Sequence, residues 1–321
     1  MPAPTNTNTS YNLRGNAEDV DSKIYNLSPE ETPAVSAMPS FKVDARIHQW
    51  QEDTYANANK DNAMVEGDDF VGQAVQQTLM LQNTIQTFSK QLVTSGIANA
   101  IKKYGRSDEH NYQLAKFTVE LRKDIEAAIL SNNIAVTGSN TVASKMAGLE
   151  LFANVNVSHG SGGSTAAITN GTLPTTAPTD GTTRAFTETV FKSALATMWD
   201  SGAKPTTAYM AIPRKADVDG FAGVANRRVD VPKRGLASII GAVDVYAYDT
   251  GAIAFVPLYT DRIRARTVFI TDGESLERGY LRPIQREAIG KTGDNSKTML
   301  VTDVTLKVTN RRGVFKIADL A

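Results

Sequence analysis

Two short stretches of this chain carry residue types that can do chemistry. Glu66-Gly67-Asp68-Asp69 sets three carboxylates close enough to attract a divalent cation. A calcium site needs six to eight oxygen ligands at fixed spacing, and this cluster does not supply them. Gly-Asp-Asp is also a metal-binding turn in some polymerases, but here its flanks lack the hydrophobic strand–turn–strand that holds such a turn. A solvated loop tip is the expectation. His159-Gly-Ser-Gly-Gly-Ser164 has the small residues of a phosphate cradle and a serine beside an imidazole. It lacks the Gly-Lys-Ser/Thr of a P-loop and is not Gly-x-Ser-x-Gly, so a linker is expected. A hydrolase using His159 or His48 would need a pocket that gathers distant acids.

The remaining candidates thin out quickly. The three histidines, His48, His110 and His159, lie far apart and form no His-x-x-x-His or His-Glu-x-x-His spacing. Cysteine is absent, which excludes disulfides, thiolate metal sites and a cysteine nucleophile. No catalytic, metal-binding or cofactor-binding set is therefore expected, and no cofactor. Arg227-Arg228 and Lys233-Arg234 form a short basic stretch that would suit DNA phosphates or an acidic segment of a neighbour. A net charge of zero argues against strong general affinity for nucleic acid.

Charge is unevenly spread. Residues 1–80 hold five Lys+Arg against twelve Asp+Glu, a net of −7, and the rest of the chain holds 29 against 22, a net of +7. Two solvated surfaces of different composition would account for this. So would an acidic arm and loop docking on a basic surface of a neighbour, since complementary potentials guide encounter and register. With 321 residues, 41% of them hydrophobic and 21% charged, the chain can bury a large core and still carry polar extensions. No run approaches the length of a membrane span, and the polar N-terminus has no hydrophobic signal region. A soluble protein, not exported by the usual route, is expected.

The elements that would position these residues follow from periodicity. Val20, Ile24 and Leu27 have helical spacing ended by Pro29, and one such turn needs a surface to dock on. Phe41–Ile47 alternates as a strand, and Thr78–Ile85 reads as its return arm. Between them, residues 54–77 form a long polar loop, rare in a compact domain unless its work lies outside. Trp50, near the end of the first arm, would be an anchor in a partner's pocket or a packed core residue. A helix is predicted from Ser107, as N-cap, to about Ser131. Leu114, Phe117, Leu121, Ile125 and Ile129 lie on its apolar face, and Lys116–Glu120 and Arg122–Glu126 pair along its surface. Residues 158–182 read as a Gly/Ser/Thr junction. A second helix starts near Thr187 and ends at Gly202, then a strand covers 206–212 and Pro213 opens another helix. Val243, Val245 and Ala247 alternate with Asp244, Tyr246 and Tyr248 before a turn at 249–251. Leu300 to Val308 alternates and, across Gly313, suggests a hairpin with Val314–Ile317.

The order of these parts resembles the major capsid protein of tailed bacteriophages with the HK-97-like fold, an α+β architecture. The closest resemblance is to the SU-10-type podophage capsid family. It is carried by Asp19–Ser36, by Trp50-Gln-Glu-Asp53, by Gly105–Glu126 and by Ala147-Gly-Leu149. It is clear over residues 18–150 and rests on element order beyond that.

The resemblance implies an N-arm at 1–40, an extended strand–loop–strand at 41–95 and a spine helix with the first part of a peripheral domain at 96–184. An axial domain at 185–260 and a return to peripheral strands at 261–321 complete it. It implies a structural, non-enzymatic protein assembling as hexamers and pentamers into an icosahedral shell around double-stranded DNA, built in the bacterial cytoplasm. Separate scaffolding, portal and decoration proteins are the implied partners, with weak contact to packaged DNA. A non-viral compartment shell of the same fold and a tail or adhesin component are the alternatives. Ile24, Tyr25, Trp50, Glu66, Asp68, Asp69, Arg227, Arg228, Lys233 and Arg234 are the expected assembly contacts.

Overall fold

A computed structural model describes residues 28–67, 69, 72, 75–221, 244–248 and 251–321. The chain enters through a short helix, α1 (Pro33–Ala37), and a three-residue strand, β1 (Ser40–Lys42). A hairpin follows, β2 (Ile47–Glu52) and β3 (Leu79–Thr84), with residues 53–78 between its arms. Next, β4 (Gln86–Ser95) leads through one helical turn, α2 (Gly96–Ala100), into the long helix α3 (Glu109–Ile129). Then come α4 (Leu149–Phe152), β5 (Asn156–Ser158), α5 (Glu188–Asp200), β6 (Thr207–Ala211) and α6 (Ile212–Asp219). The strands β7 (Val245–Tyr248), β8 (Gly251–Leu258) and β9 (Val268–Thr271) precede the long β10 (Leu276–Ile289) and β11 (Asn295–Val308). The last strand is β12 (Val314–Ile317). Strand order is β1-β10-β11-β4 in one sheet and β5-β12-β9-β6-β8-β7 in the other, with β2 and β3 as a separate pair.

The long helix forms where its apolar stripe demands, one residue later than expected. Asp108, not Ser107, is the N-cap, its Oδ1 accepting from the Asn111 amide at 3.1 Å. Leu114, Leu121, Ile125 and Ile129 are buried against β4 and β11. The two expected surface ion pairs give way to tertiary ones. Lys90 of β4 bridges Asp124 at 2.8 Å and Glu120 at 3.7 Å, and Glu126 turns inward. An i,i+4 pair contributes only about 0.2–0.5 kcal/mol, too little to hold a carboxylate that better partners can reach.

Two strand expectations need correction, and a third strand, β7, forms as expected with Tyr246 turned inward. Phe41–Ile47 is not one strand: β1 lies parallel on β10, and β2 leaves to pair with β3. Between them Val43 is buried, and its amide bonds to the Tyr280 carbonyl at 2.9 Å. Val314–Ile317 does not fold back on β11. A 3-10 turn at Arg311–Gly313 sends β12 to the second sheet, between β5 and β9. In β7 the buried face is Tyr246, while Val245 and Ala247 are exposed. The Tyr246 ring packs on Phe191 at 5.6 Å and Phe255 at 6.4 Å, filling more volume than Val or Ala can.

Other expectations hold. The Thr187 side chain caps α5, accepting from the Val190 amide, and Gly202 stops it at φ +86°, where only glycine is unstrained. Pro213 lies in the first turn of α6. Residues Val301–Leu306 of β11 are buried on both faces, so the sheet is covered by α3 on one side and by the base of the β2–β3 hairpin on the other.

Candidate assembly surfaces

The projecting hairpin is anchored at its root. Trp50 is 8% exposed; its indole N–H donates to the Val308 carbonyl at 2.7 Å and its ring packs 5.7 Å from Phe152. This corrects its reading as a partner anchor: the indole is satisfied within its own chain. Beside it, the Arg311 Nε donates to buried Glu52 at 2.9 Å. Across the hairpin, buried Asn83 donates to the carbonyls of Ala147 and Leu306 at 3.2 and 2.8 Å and accepts from the Ala147 amide at 2.9 Å. The hairpin is thus tied down at Trp50 and Glu52 of β2 and at Asn83 of β3, and the polar loop begins only past Glu52. Glu66 is exposed there, beside exposed Met64 and Val65, and Asp69 is exposed too. Asp68 lies outside the described residues, as do Ile24, Tyr25, Arg227, Arg228, Lys233 and Arg234.

A second anchor holds the root of the N-terminal segment. Glu126 of α3 is fully buried. Its Oε1 accepts from the Ala34 and Val35 amides at 2.9 and 3.4 Å, and its Oε2 accepts from Arg262 Nη1 at 3.0 Å. The Arg262 Nη2 donates to the Pro29 carbonyl at 2.9 Å, and its guanidinium lies over the Tyr259 ring. One carboxylate and one guanidinium therefore join the incoming chain, the spine helix and the 259–264 turn. Burial pushes the Glu126 carboxyl above its ordinary range, against the opposing pull of Arg262 and the two amides. Sequence reading missed this pair. The available signal was a glutamate between Ile125 and Ile129 on the apolar side of a helix.

The Gly/Ser junction is ordered around Asp319. Its carboxylate accepts from the Gly160 and Gly181 amides at 2.9 and 2.8 Å and faces His159 Nδ1 at 3.4 Å. Burial alone would raise this carboxyl, but the two amides and the imidazole hold it below its usual range. Burial lowers the His159 imidazole in turn. Nearby, Arg264 bridges Glu150 at 2.9 Å and also Asp180, and Lys316 is fully buried, its ammonium donating to the Glu150 carbonyl at 3.4 Å. These charges join α4, the junction and β12. The His159–Asp319 pair is thus a structural tie for the junction. Among the described residues no group of three His, Asp or Glu side chains could hold a metal ion.

No helix of the described residues is long and apolar enough to cross a membrane. The fold is shared with solved shell proteins. Against the cyanophage A-1(L) capsid asymmetric unit the TM-score is 0.64 at 11% identity, covering 97% of this chain and 98% of that one. For the Gordonia phage Cozz structure it is 0.58 at 11% identity, covering 100% and 97%. For the SrpI encapsulin complex of Synechococcus elongatus PCC 7942 it is 0.53 at 11% identity, covering 95% and 92%. The architecture is the HK-97-like α+β fold. In sequence, the chain is 34% identical over 122 residues to the major capsid protein of Escherichia phage Phieco32, covering 38% of this chain. That match spans about a third of the relative's length, 35%. The profile of the SU10 major capsid protein family matches residues 3–321, and by that match the chain belongs to this family.

Proposed function

We propose that this protein is the structural head subunit of a tailed phage, assembling through copies of itself into hexamers and pentamers of an icosahedral shell that encloses double-stranded DNA. The observation that carries this reading is the β2–β3 hairpin. Its root is fixed by buried Trp50, Glu52 and Asn83, while it holds out 26 residues, 53–78, with no regular secondary structure among those described. A rigid root and a polar extension with no core of its own fit a segment that completes itself on a neighbour. The role is structural and not catalytic, and the charged clusters described above serve as internal ties. Assembly takes place in the host cytoplasm, with scaffolding and portal proteins supplied separately.

The division of labour proposed is an N-arm at 1–40, an extended loop at 41–95 and an axial domain at 185–260 between peripheral segments. Size-exclusion chromatography followed by negative-stain electron microscopy of the full chain, alone and with the phage scaffolding protein, tests the reading. Closed shells, or hexamers and pentamers, are expected. A monomer under both conditions overturns it. A compartment shell of the same fold is the second reading, favoured by the encapsulin likeness alone. DNA-free shells that package a protein cargo from their own operon would establish it instead.

A further inference from the structure

The sequence contains one Asn-Gly pair, Asn170-Gly171, and the fold places it where the projecting hairpin meets the body. β2 and β3 pair only with each other, so β3 has no strand on its outer edge. A four-residue turn at 169–172 takes that place. The Thr172 amide donates to the Thr169 carbonyl at 3.2 Å, and Gly171 stands at φ +68° in the third position, where glycine is favoured. Three hydrogen bonds join the turn to β3. The Met80 amide donates to Asn170 Oδ1 at 2.7 Å, the Gly171 amide donates to the Met80 carbonyl at 2.9 Å, and Gln82 Nε2 donates to the Gly171 carbonyl at 2.6 Å. Ile168 and Leu173, on either side, pack against the main core. Asn170 and Gly171 thus latch the hairpin to the body while both stay exposed to water.

Asparagine is chemically labile, and most so before glycine, which has no Cβ to keep its amide nitrogen away from the asparagine Cγ. That nitrogen must first lose its proton. Here the proton is held by the Met80 carbonyl. Base reaches it only when the latch opens, which is the event that hydrogen exchange reports.

We propose that Asn170-Gly171 is a deamidation site gated by its own latch, and that reaction there releases the edge of the hairpin. In the open latch the deprotonated Gly171 nitrogen bonds to Asn170 Cγ. The Cγ–Nδ2 bond breaks, and the side-chain nitrogen takes a proton from water and leaves as ammonia. Water then opens the five-membered imide at one of its two carbonyls. One opening leaves aspartate, whose carboxylate can still accept from the Met80 amide. The other leaves isoaspartate, in which the main chain runs through the former side chain and is one carbon longer. The Gly171 amide and carbonyl then fall out of register with Met80 and Gln82, so a latch opened this way does not reclose. The step needs only water and base, and it runs in one direction.

The test follows the full chain at mildly alkaline pH in heavy-oxygen water, folded or unfolded in guanidinium. Mass spectrometry reads the peptide that carries residue 170, and fragmentation identifies isoaspartate. In the unfolded chain residue 170 should convert ahead of every other asparagine. In the folded chain it should convert on the order of a hundredfold more slowly, the factor that three net hydrogen bonds supply. Gln82→Ala removes one of the three and should raise the folded rate roughly two- to tenfold. Asn170→Gln, whose longer side chain disfavours ring closure, should abolish the reaction. In converted chains, separated by ion exchange, the amides of residues 79–84 should exchange hydrogen faster than before. No conversion of residue 170 in the unfolded chain overturns the site. Equal rates in folded and unfolded chains overturn the gating, and conversion that leaves exchange at 79–84 unchanged overturns the release. If circular dichroism shows that Gln82→Ala does not fold, the folded and unfolded wild-type rates decide the gating by themselves.

Discussion

Asp319 shows how much one side chain can organise. It sits at φ +60°, a left-handed backbone that Asp and Asn tolerate better than other non-glycine residues. From there its carboxylate fixes Gly160 and Gly181, which belong to a segment of little intrinsic structure. Asp319→Ala should strand both amides and destabilise the chain by about 2–3 kcal/mol, the scale of losing a hydrogen bond to a charged group. Asp319→Asn, which keeps the backbone preference and one acceptor oxygen, should cost less; urea denaturation of both variants checks the order.

A pH dependence follows from the same residue and from Asp303. Asp303 is pushed up by burial, but hydrogen bonds from Arg282 at 2.5 Å and from the Thr87 hydroxyl at 2.7 Å hold it below its ordinary value. For both aspartates the folded state binds its proton more weakly than the unfolded chain does. Their contribution is therefore complete above the unfolded carboxylate value of about 3.9 and disappears as pH falls through the lower folded values. Asp303→Asn and Asp319→Asn should each flatten the acid limb of a stability–pH curve below about pH 5 while leaving its neutral plateau lower. An acid limb unchanged in either variant would show that other groups set it.

At the scale of elements, the Glu126–Arg262 pair decides where the N-terminal arm can begin. Arg262→Met should destabilise the chain by about 3–5 kcal/mol, because it leaves a carboxylate buried without its cation. Replacing both residues, Glu126→Leu with Arg262→Met, should recover only part of this, since the Ala34 and Val35 amides then lose their acceptor. Truncation makes the same point. Ala34, Val35 and Met38 are buried against α3 and its surroundings, so removal of residues 1–38 takes core as well as arm. Deletion of 1–27 should leave the thermal midpoint within a few degrees of the full chain. Deletion of 1–38 should lower it by several degrees at least, read by differential scanning calorimetry, as loss of buried aliphatic groups and a stranded carboxylate requires.

At the scale of the whole molecule, the two core clusters and the projecting hairpin form a body whose unfilled contacts lie on its exterior. Val301–Leu306 of β11 is covered on both faces, whereas Met64, Val65 and Glu66 stand exposed on the loop beyond Glu52. Assembly should therefore be more sensitive to charge reversal at these exposed positions than monomer stability is. Shell yield by electron microscopy and monomer melting, measured on the same variants, should diverge. Equal loss of both would place Glu66 and its neighbours in the fold of the single chain.

The sequence by itself determined the parts that depend on neighbours along the chain. The stripe from Leu114 to Ile129, the Thr187 cap, the Gly202 stop and the polar run between two arms are local patterns, and a helix or turn answers to residues only a few positions away. It also carried the family resemblance through Gly105–Glu126. Tertiary structure alone decided what depends on distant partners: that Trp50 faces inward, that Glu126 prefers Arg262 to Arg122, that β12 joins the second sheet, and that Tyr246 rather than Val245 is buried. Each of these is a competition between a weak local preference and a buried contact with a residue distant in sequence, and burial wins because an unsatisfied polar group or an unfilled volume inside the core costs more than the local preference supplies.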